Sequence, residues 1–374
     1  MRNICYFINS DWYFDLHWFD RAKGTQAEGF DVHIISDFKN EDIKKKLEEN
    51  GFHCYKSKLN PQSLNPFSFF ISSIYLFRLL KKIDADIIHC ITIKPCLIGG
   101  LFARSNFKKV VISFVGLGRI FSSQKKAYRL IQTLVLPVYR YIFSNPRVAL
   151  LFEHENDRQY LVNLIRIPLE KTIVIDGAGI DTCLFDFKNE PDQDIPTVLF
   201  ASRLLKSKGL QDLIHVKEIL SDEGVEFKLD VAGIIVKDDS DAVDIKLIEK
   251  WHQNKIINWL GQRNDINQLI SQSSIVALPS LYPEGVPRIL IEGASIGRAL
   301  IAYDSGGCSS IVQDHVNGFL IPRGDLVDLK NKLKLLITDK TLREKMGVKS
   351  RELVLKKFSS SIVLYKTLVV YQSL

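Results

Sequence analysis

The feature that most constrains this sequence is its rhythm. Short apolar runs alternate with longer stretches of helical periodicity from end to end, the pattern of a doubly wound α/β chain with parallel strands. Runs at 3–8 (NICYFI), 31–36 (DVHIIS), 87–90, 110–114, 148–152 and 172–175 read as strands, with helical stretches such as 41–50 and 67–83 between them. A second series opens at 197–201 (TVLFA) and continues through 227–231, 256–260, 275–278, 299–302 and 318–321. Between the two lies 177–196 (GAGIDTCLFDFKNEPDQDIP), where glycine, proline and acidic residues break both periodicities. The 374 residues exceed one ordinary core. The expected architecture is α/β with two Rossmann-like domains, 1–178 and 195–350, facing across a cleft. The helical stretch 351–374 is expected to return to the first domain.

Composition removes several classes. Apolar residues make up 46% and charged residues 25%, which excludes global disorder, and no apolar run approaches a membrane span. The apolar run at 4–8 reads as a strand rather than a signal peptide. Six cysteines show no C-x-x-C pair and no nearby histidine pair, so they read as reduced thiols in a cytosolic protein, with no zinc site expected. The net charge of +7 is uneven: residues 1–170 hold 24 basic and 16 acidic side chains, residues 171–374 hold 26 and 27. Residues 87–152 carry ten Lys and Arg and no acid, which points to an anionic membrane surface or a phosphorylated acceptor. No nucleic-acid-binding module is recognisable, so nucleic acid is not an expected partner.

The chemistry is concentrated in the second half. In 281–322 a strand leads into a loop with Pro283, Gly285 and Pro287, then a helix through about Ile296. Glu284 lies in the loop and Glu292 about two helical turns along, a spacing that can place two carboxylates on one side of a cleft. Arg203 and Lys208 (ASRLLKSKGL) follow a predicted strand end, where open α/β sheets gather ligands and where two cations can neutralise a diphosphate. Gly261 and Arg263 (LGQRND) follow another. Together these describe a site for a nucleotide diphosphate carrying a polyhydroxylated group.

At these residues the sequence resembles the retaining glycosyltransferases of family 4, which have the GT-B fold. The Glu284…Glu292 pair in PEGVPRILIEGAS is similar to the family's E-x7-E signature. ASRLLKSKG, LGQRND, SGGCSSIV, NGFLIP and GAGIDTCLF match its flanking elements, and GFDVHIIS, DIIHC and Gly116–Gly118 agree more loosely. The resemblance implies that Arg203 and Lys208 bind the donor diphosphate and stabilise the leaving phosphate. It implies Glu292 on the ribose hydroxyls and Glu284 on the donor sugar. It also implies Gly285 and Val286 beside sugar and phosphate, and the backbone around Arg263 and Ile266 at the base. Family members work without a metal. They retain anomeric configuration, the usual proposal being a front-face displacement. Many carry a histidine in the first-domain turn where this chain has Val115; candidate acceptor-side groups here are His17, Gly116, Gly118 and His154.

Asp84-Ala85-Asp86 spells D-x-D but reads better as a helix end opening a strand, and Asp238–Asp241 reads as a solvated loop. His89 ends a predicted strand and is a further candidate. Basic residues beside aromatics in 66–83 and 119–143 fit an interfacial membrane surface. The EGVPR variant resembles bacterial enzymes that extend lipid-linked saccharides. The expected enzyme therefore moves a hexose or N-acetylhexosamine from a UDP-sugar to a saccharide on undecaprenyl diphosphate, in O-antigen, capsule or exopolysaccharide synthesis. It needs no cofactor and sits in the cytoplasm, peripheral on the inner face of the membrane. The rival readings are a nucleotide-sugar epimerase of the same fold and a non-catalytic sugar-nucleotide-binding partner subunit.

Overall fold

The computed structural model describes residues 2–60, 63, 65–118, 121, 126–236 and 239–374. The opening of the basic, aromatic stretch (119–120 and 122–125) and Asp238 lie outside the described residues. The chain divides into two units, 1–179 with 360–374, and 180–359.

The first unit is built on a seven-stranded parallel sheet of β1 (Arg2–Phe7), β2 (Phe30–Ser36), β3 (His53–Lys56), β4 (Ile87–Ile91), β5 (Lys109–Phe114), β6 (Val148–Phe152) and β7 (Thr172–Val174). Its order is β3-β2-β1-β4-β5-β6-β7, so the winding reverses between β1 and β4. The central strands β4 and β6 are buried throughout, as their unbroken apolar runs require when helices cover both faces. Helix boundaries follow local chemistry. Asn40 accepts from the Asp42 and Ile43 amides to start Glu41–Glu49. Asn65 does the same for Pro66–Ile83, where Pro66 occupies the first turn, and left-handed Asp84 ends that helix. β3 was not among the expected strands, because HCYK at the sheet edge is half solvated and shows no apolar run.

The second unit carries a six-stranded parallel sheet of β8 (Thr197–Ala201), β9 (Lys228–Ala232), β10 (Asn258–Gly261), β11 (Ile275–Leu278), β12 (Ala299–Tyr303) and β13 (Gly318–Ile321). The order β10-β9-β8-β11-β12-β13 reverses between β8 and β11. The helix Lys340–Lys357 belongs to this unit, so residues 351–359 stay with it. The following helix, Ser360–Ser373, belongs to the first unit and packs against the helix Phe19–Ala27. There Val363, Val370 and Tyr371 join the core, and the Tyr371 hydroxyl lies 3.1 Å from that of Tyr6 and 2.6 Å from His89 Nδ1.

Candidate active site

In the second unit the strand order runs apart on either side of β8 and β11, and it is at the carboxyl ends of such a switch point that α/β sheets hold ligands. The loops leaving these two strands are locked together through the backbone. The Leu281 and Tyr282 amides both donate to the Ser207 carbonyl, at 2.8 and 3.3 Å. Gly209 has φ +80, and a Cβ there would sit 1.9 Å from the Pro279 carbonyl oxygen, so only glycine permits the approach. This contact brings residues 76 apart in sequence into one ion pair: Lys208 Nζ meets Glu284 Oε1, and Ser280 Oγ donates to the same oxygen at 2.6 Å. From the other side, the Gly307 amide donates to the Glu284 carbonyl at 2.9 Å, and Ser305 Oγ donates to the Tyr282 carbonyl at 2.5 Å. Gly306 has φ +60, and a Cβ on it would fall 2.1 Å from the Glu284 oxygen. Glu284 is thus clamped between the turn after β8 and the turn after β12.

Arg203 is exposed beside this pair in sequence, in the loop after β8. Glu292 lies in the helix Arg288–Ile296 and is buried, its Oε1 accepting from Arg288 Nε at 2.7 Å. Burial pushes its carboxyl above the ordinary value, with the Arg288 guanidinium opposing the shift. Gly285 is partly exposed and Val286 buried just ahead of that helix. Arg263 grips Asp265 of its own turn at 2.8 and 2.5 Å, and Ile266 opens the helix Ile266–Ser271 packed against the core. An ammonium held against a carboxylate at a strand switch can separate to engage an anion and hydroxyls on one ligand. Sequence reasoning missed Ser207 and Ser280; the only signal was a small polar residue, Ser280 two positions past β11 and Ser207 in the short turn beside Lys208.

In the first unit, His17 ends the helix Asp11–His17 with its ring 4.3 Å from that of Tyr13. Gly116 and Gly118 form the turn after β5, with φ of +98 and +63. Val115 lines a small cavity with Trp18, Arg21, Ser113, Phe114 and Glu153. His154 is buried as the cap of the helix Glu155–Ile165: Nδ1 accepts from the Asp157 amide at 3.4 Å, and Nε2 lies 3.1 Å from the Asp157 carboxylate. His89 is sealed in the core between Tyr371 and Ser113, 2.6 and 2.7 Å away, and burial drives its pKa well down. Arg21 was not anticipated. It is buried, lies 4.1 Å over the Trp18 ring and donates to the Gly177 and Ala178 carbonyls at 3.3 and 3.1 Å. Its signal was a Trp three residues before an Arg on one helix face.

In the D-x-D segment, Asp84 is exposed and pairs with Lys108 at 2.8 Å, while Asp86 accepts from the Asn3 amide at 2.8 Å. The carboxylates therefore serve a helix end and a strand start. Among the described residues, one group of three metal-ligating side chains converges, Asp31, His33 and His53 in the first sheet. All six cysteines are unpaired thiols.

Residues 183–353 match the family model of glycosyl transferases group 1, and residues 3–149 match that of glycosyl transferase 4-like proteins. The chain is 24% identical over 346 residues to the N,N'-diacetylbacillosaminyl-diphospho-undecaprenol alpha-1,3-N-acetylgalactosaminyltransferase of Campylobacter jejuni, covering 88% of each. It is 26% identical over 287 residues to the UDP-Gal:alpha-D-GlcNAc-diphosphoundecaprenol alpha-1,3-galactosyltransferase of Escherichia coli, covering 72% of this chain and 71% of that one. Among solved structures, a glycosyltransferase from Rickettsia africae superposes with a TM-score of 0.78 at 20% identity, over 100% of this chain and 98% of that one. Anabaena HepE, solved with UDP, gives 0.78 at 18% identity over all of both chains.

Proposed function

Because this chain is a glycosyltransferase of family 4 with the GT-B fold, we propose that it moves a hexose or N-acetylhexosamine from a UDP-sugar to a saccharide on undecaprenyl diphosphate, with retention. The observation that carries the reading is the Lys208–Glu284 pair held at the strand switch, with Arg203 and Glu292 on the adjoining elements. On this reading the donor divides the pair. Lys208 and Arg203 turn to the diphosphate and stabilise charge that grows on the departing phosphate, and Glu284 accepts from hydroxyls of the sugar. Ser280 keeps Glu284 in place meanwhile, through the 2.6 Å bond. Glu292 accepts from the ribose hydroxyls, the amides near Gly285 and Val286 face sugar and phosphate, and the backbone at Arg263–Ile266 meets the base. The departing phosphate oxygen takes the acceptor proton, with no metal in the reaction.

The lipid acceptor draws support from the two relatives that act on undecaprenyl-linked sugars and from the first unit's surface. On the helix Pro66–Ile83, Phe67, Phe70, Ile71 and Ile74 form an exposed stripe at helical spacing, followed by exposed Arg78, Lys81 and Lys82. Leu130, Leu134 and Tyr141 are exposed on the helix Lys126–Phe143 beside Arg129 and Arg140. No helix among the described residues is long and apolar enough to cross a membrane, so peripheral docking on the anionic inner leaflet is the proposed mode.

A panel of UDP-, GDP- and ADP-sugars tests the donor, read by thermal shift and then by mass of the hydrolysis products. One UDP-sugar that both stabilises the protein and is slowly hydrolysed supports the reading. No shift with any nucleotide sugar overturns it.

A further inference from the structure

We propose that Asp31, His33 and His53 form a binding site for a divalent transition metal of the zinc class, which staples the edge strand β3 to the first sheet. Parallel pairing sets the site up: His33 is the register partner of His53, and Asp31 lies two residues before His33, so all three side chains share one sheet face. The two imidazole rings stack with centroids 4.8 Å apart, and both Nε2 atoms turn to the same carboxylate. His53 Nε2 is 3.1 Å from Asp31 Oδ1 and His33 Nε2 is 3.3 Å from Oδ2. The ligand atoms of all three residues lie within 4.8 Å of one another. A tetrahedral ion with bonds of about 2.0–2.1 Å has ligand–ligand edges of about 3.3 Å, so a small inward movement closes the set.

A second observation supports the site. His33 is only 9% exposed, and its Nε2 has no partner other than the Asp31 carboxylate 3.3 Å away. Its other nitrogen, Nδ1, is 3.2 Å from the Tyr55 hydroxyl, the kind of outer contact that fixes a metal-bound imidazole. The His53 side chain is 53% exposed, which leaves an entry path and room for a water as fourth ligand. Asp31 and His53 stand at the amino-terminal ends of β2 and β3. Ligands of an α/β sheet collect at the opposite, carboxyl ends, so an ion here holds structure and takes no part in transfer.

The test uses tag-free, full-length protein stripped with EDTA and dialysed. Zn2+ is titrated by calorimetry, Co2+ by its visible d–d absorption, and thermal unfolding is followed with each ion and with Mg2+. One equivalent of Zn2+ is expected to bind and to raise the unfolding temperature by roughly 5–10 °C at a hundredfold excess over Kd. Co2+ should give a histidine-type spectrum. His53→Gln, at an exposed position that spares the fold, should abolish both signals, and Asp31→Asn should do the same. Absence of a Zn2+ shift overturns the site. So does unchanged binding in His53→Gln, and an equal shift with Mg2+ overturns the zinc-class assignment.

Discussion

Replacing Lys208 by methionine separates what the Lys208–Glu284 pair does for folding from what it does for turnover. The two side chains are 11% and 12% exposed, so the pair falls nearer the buried than the surface range, in which orphaning one partner costs about 3–5 kcal/mol. Ser280 still donates to the stranded carboxylate at 2.6 Å, which lowers the expected loss to roughly 2–3 kcal/mol. For a unit of this size that is a fall in unfolding temperature of roughly 4–12 °C. Adding Glu284→Gln removes the stranded charge, and the double variant should regain most of the lost stability. Activity should not return. If Lys208 meets charge that develops on the leaving phosphate, kcat falls by about 10²–10³-fold in both variants. Urea unfolding and donor hydrolysis, measured on the wild type, both single variants and the double variant, complete the cycle. A double variant as unstable as Lys208→Met would refute the stability argument, and turnover within about tenfold of wild type would refute the catalytic one.

Arg203 is exposed, so Arg203→Ala should leave the urea midpoint unchanged while cutting kcat by about 10²–10³-fold; a folding defect instead would mark it as structural. Gly306→Ala forces a Cβ against the Glu284 oxygen 2.1 Å away, so the loop must move by about 1 Å, and hydrolysis should drop about 10²-fold. Glu292 has its carboxyl raised by burial above the ordinary 4.5, so the folded chain keeps a proton that the unfolded chain has released. Its contribution to stability falls as pH rises from 4.5 through the raised value, and Glu292→Gln should flatten that slope in urea midpoints taken across the window. Binding to anionic vesicles should weaken at about 1 M salt, and Phe70→Ser with Ile74→Ser should weaken it further in flotation assays.

The strands that sequence alone located best are those buried on both faces. VALLF at 148–152 and IVAL at 275–278 can satisfy their apolar runs only inside a covered parallel sheet. HCYK at 53–56 escaped notice because an edge strand needs no such run, and its pairing partner lies twenty residues upstream. The candidate site divides the same way. Arg203, Lys208 and Glu284 were legible as residue types in loops that follow strands, and Glu292 by its spacing from Glu284 along a helix. That Lys208 and Glu284 touch was not, because their contact depends on two backbone approaches, Gly209 to Pro279 and Gly306 to Glu284, each set by tertiary packing. His154 shows the converse. Its candidacy came from following a strand, while Asp157 three residues on supplies the amide and carboxylate that make it a helix cap.

The helix Ser360–Ser373 imposes an order on synthesis. Its Tyr371 hydroxyl meets Tyr6 and His89, so β1 and β4 stay short of core contacts until a segment some 365 residues downstream of Tyr6 leaves the ribosome. The whole of 180–359 is contiguous and is translated in between. Vectorial folding therefore favours closure of the second unit while the first, although made earlier, waits as an incomplete core with apolar surface open to chaperones. A chain truncated after residue 359 would carry a closed second unit and an unsealed first.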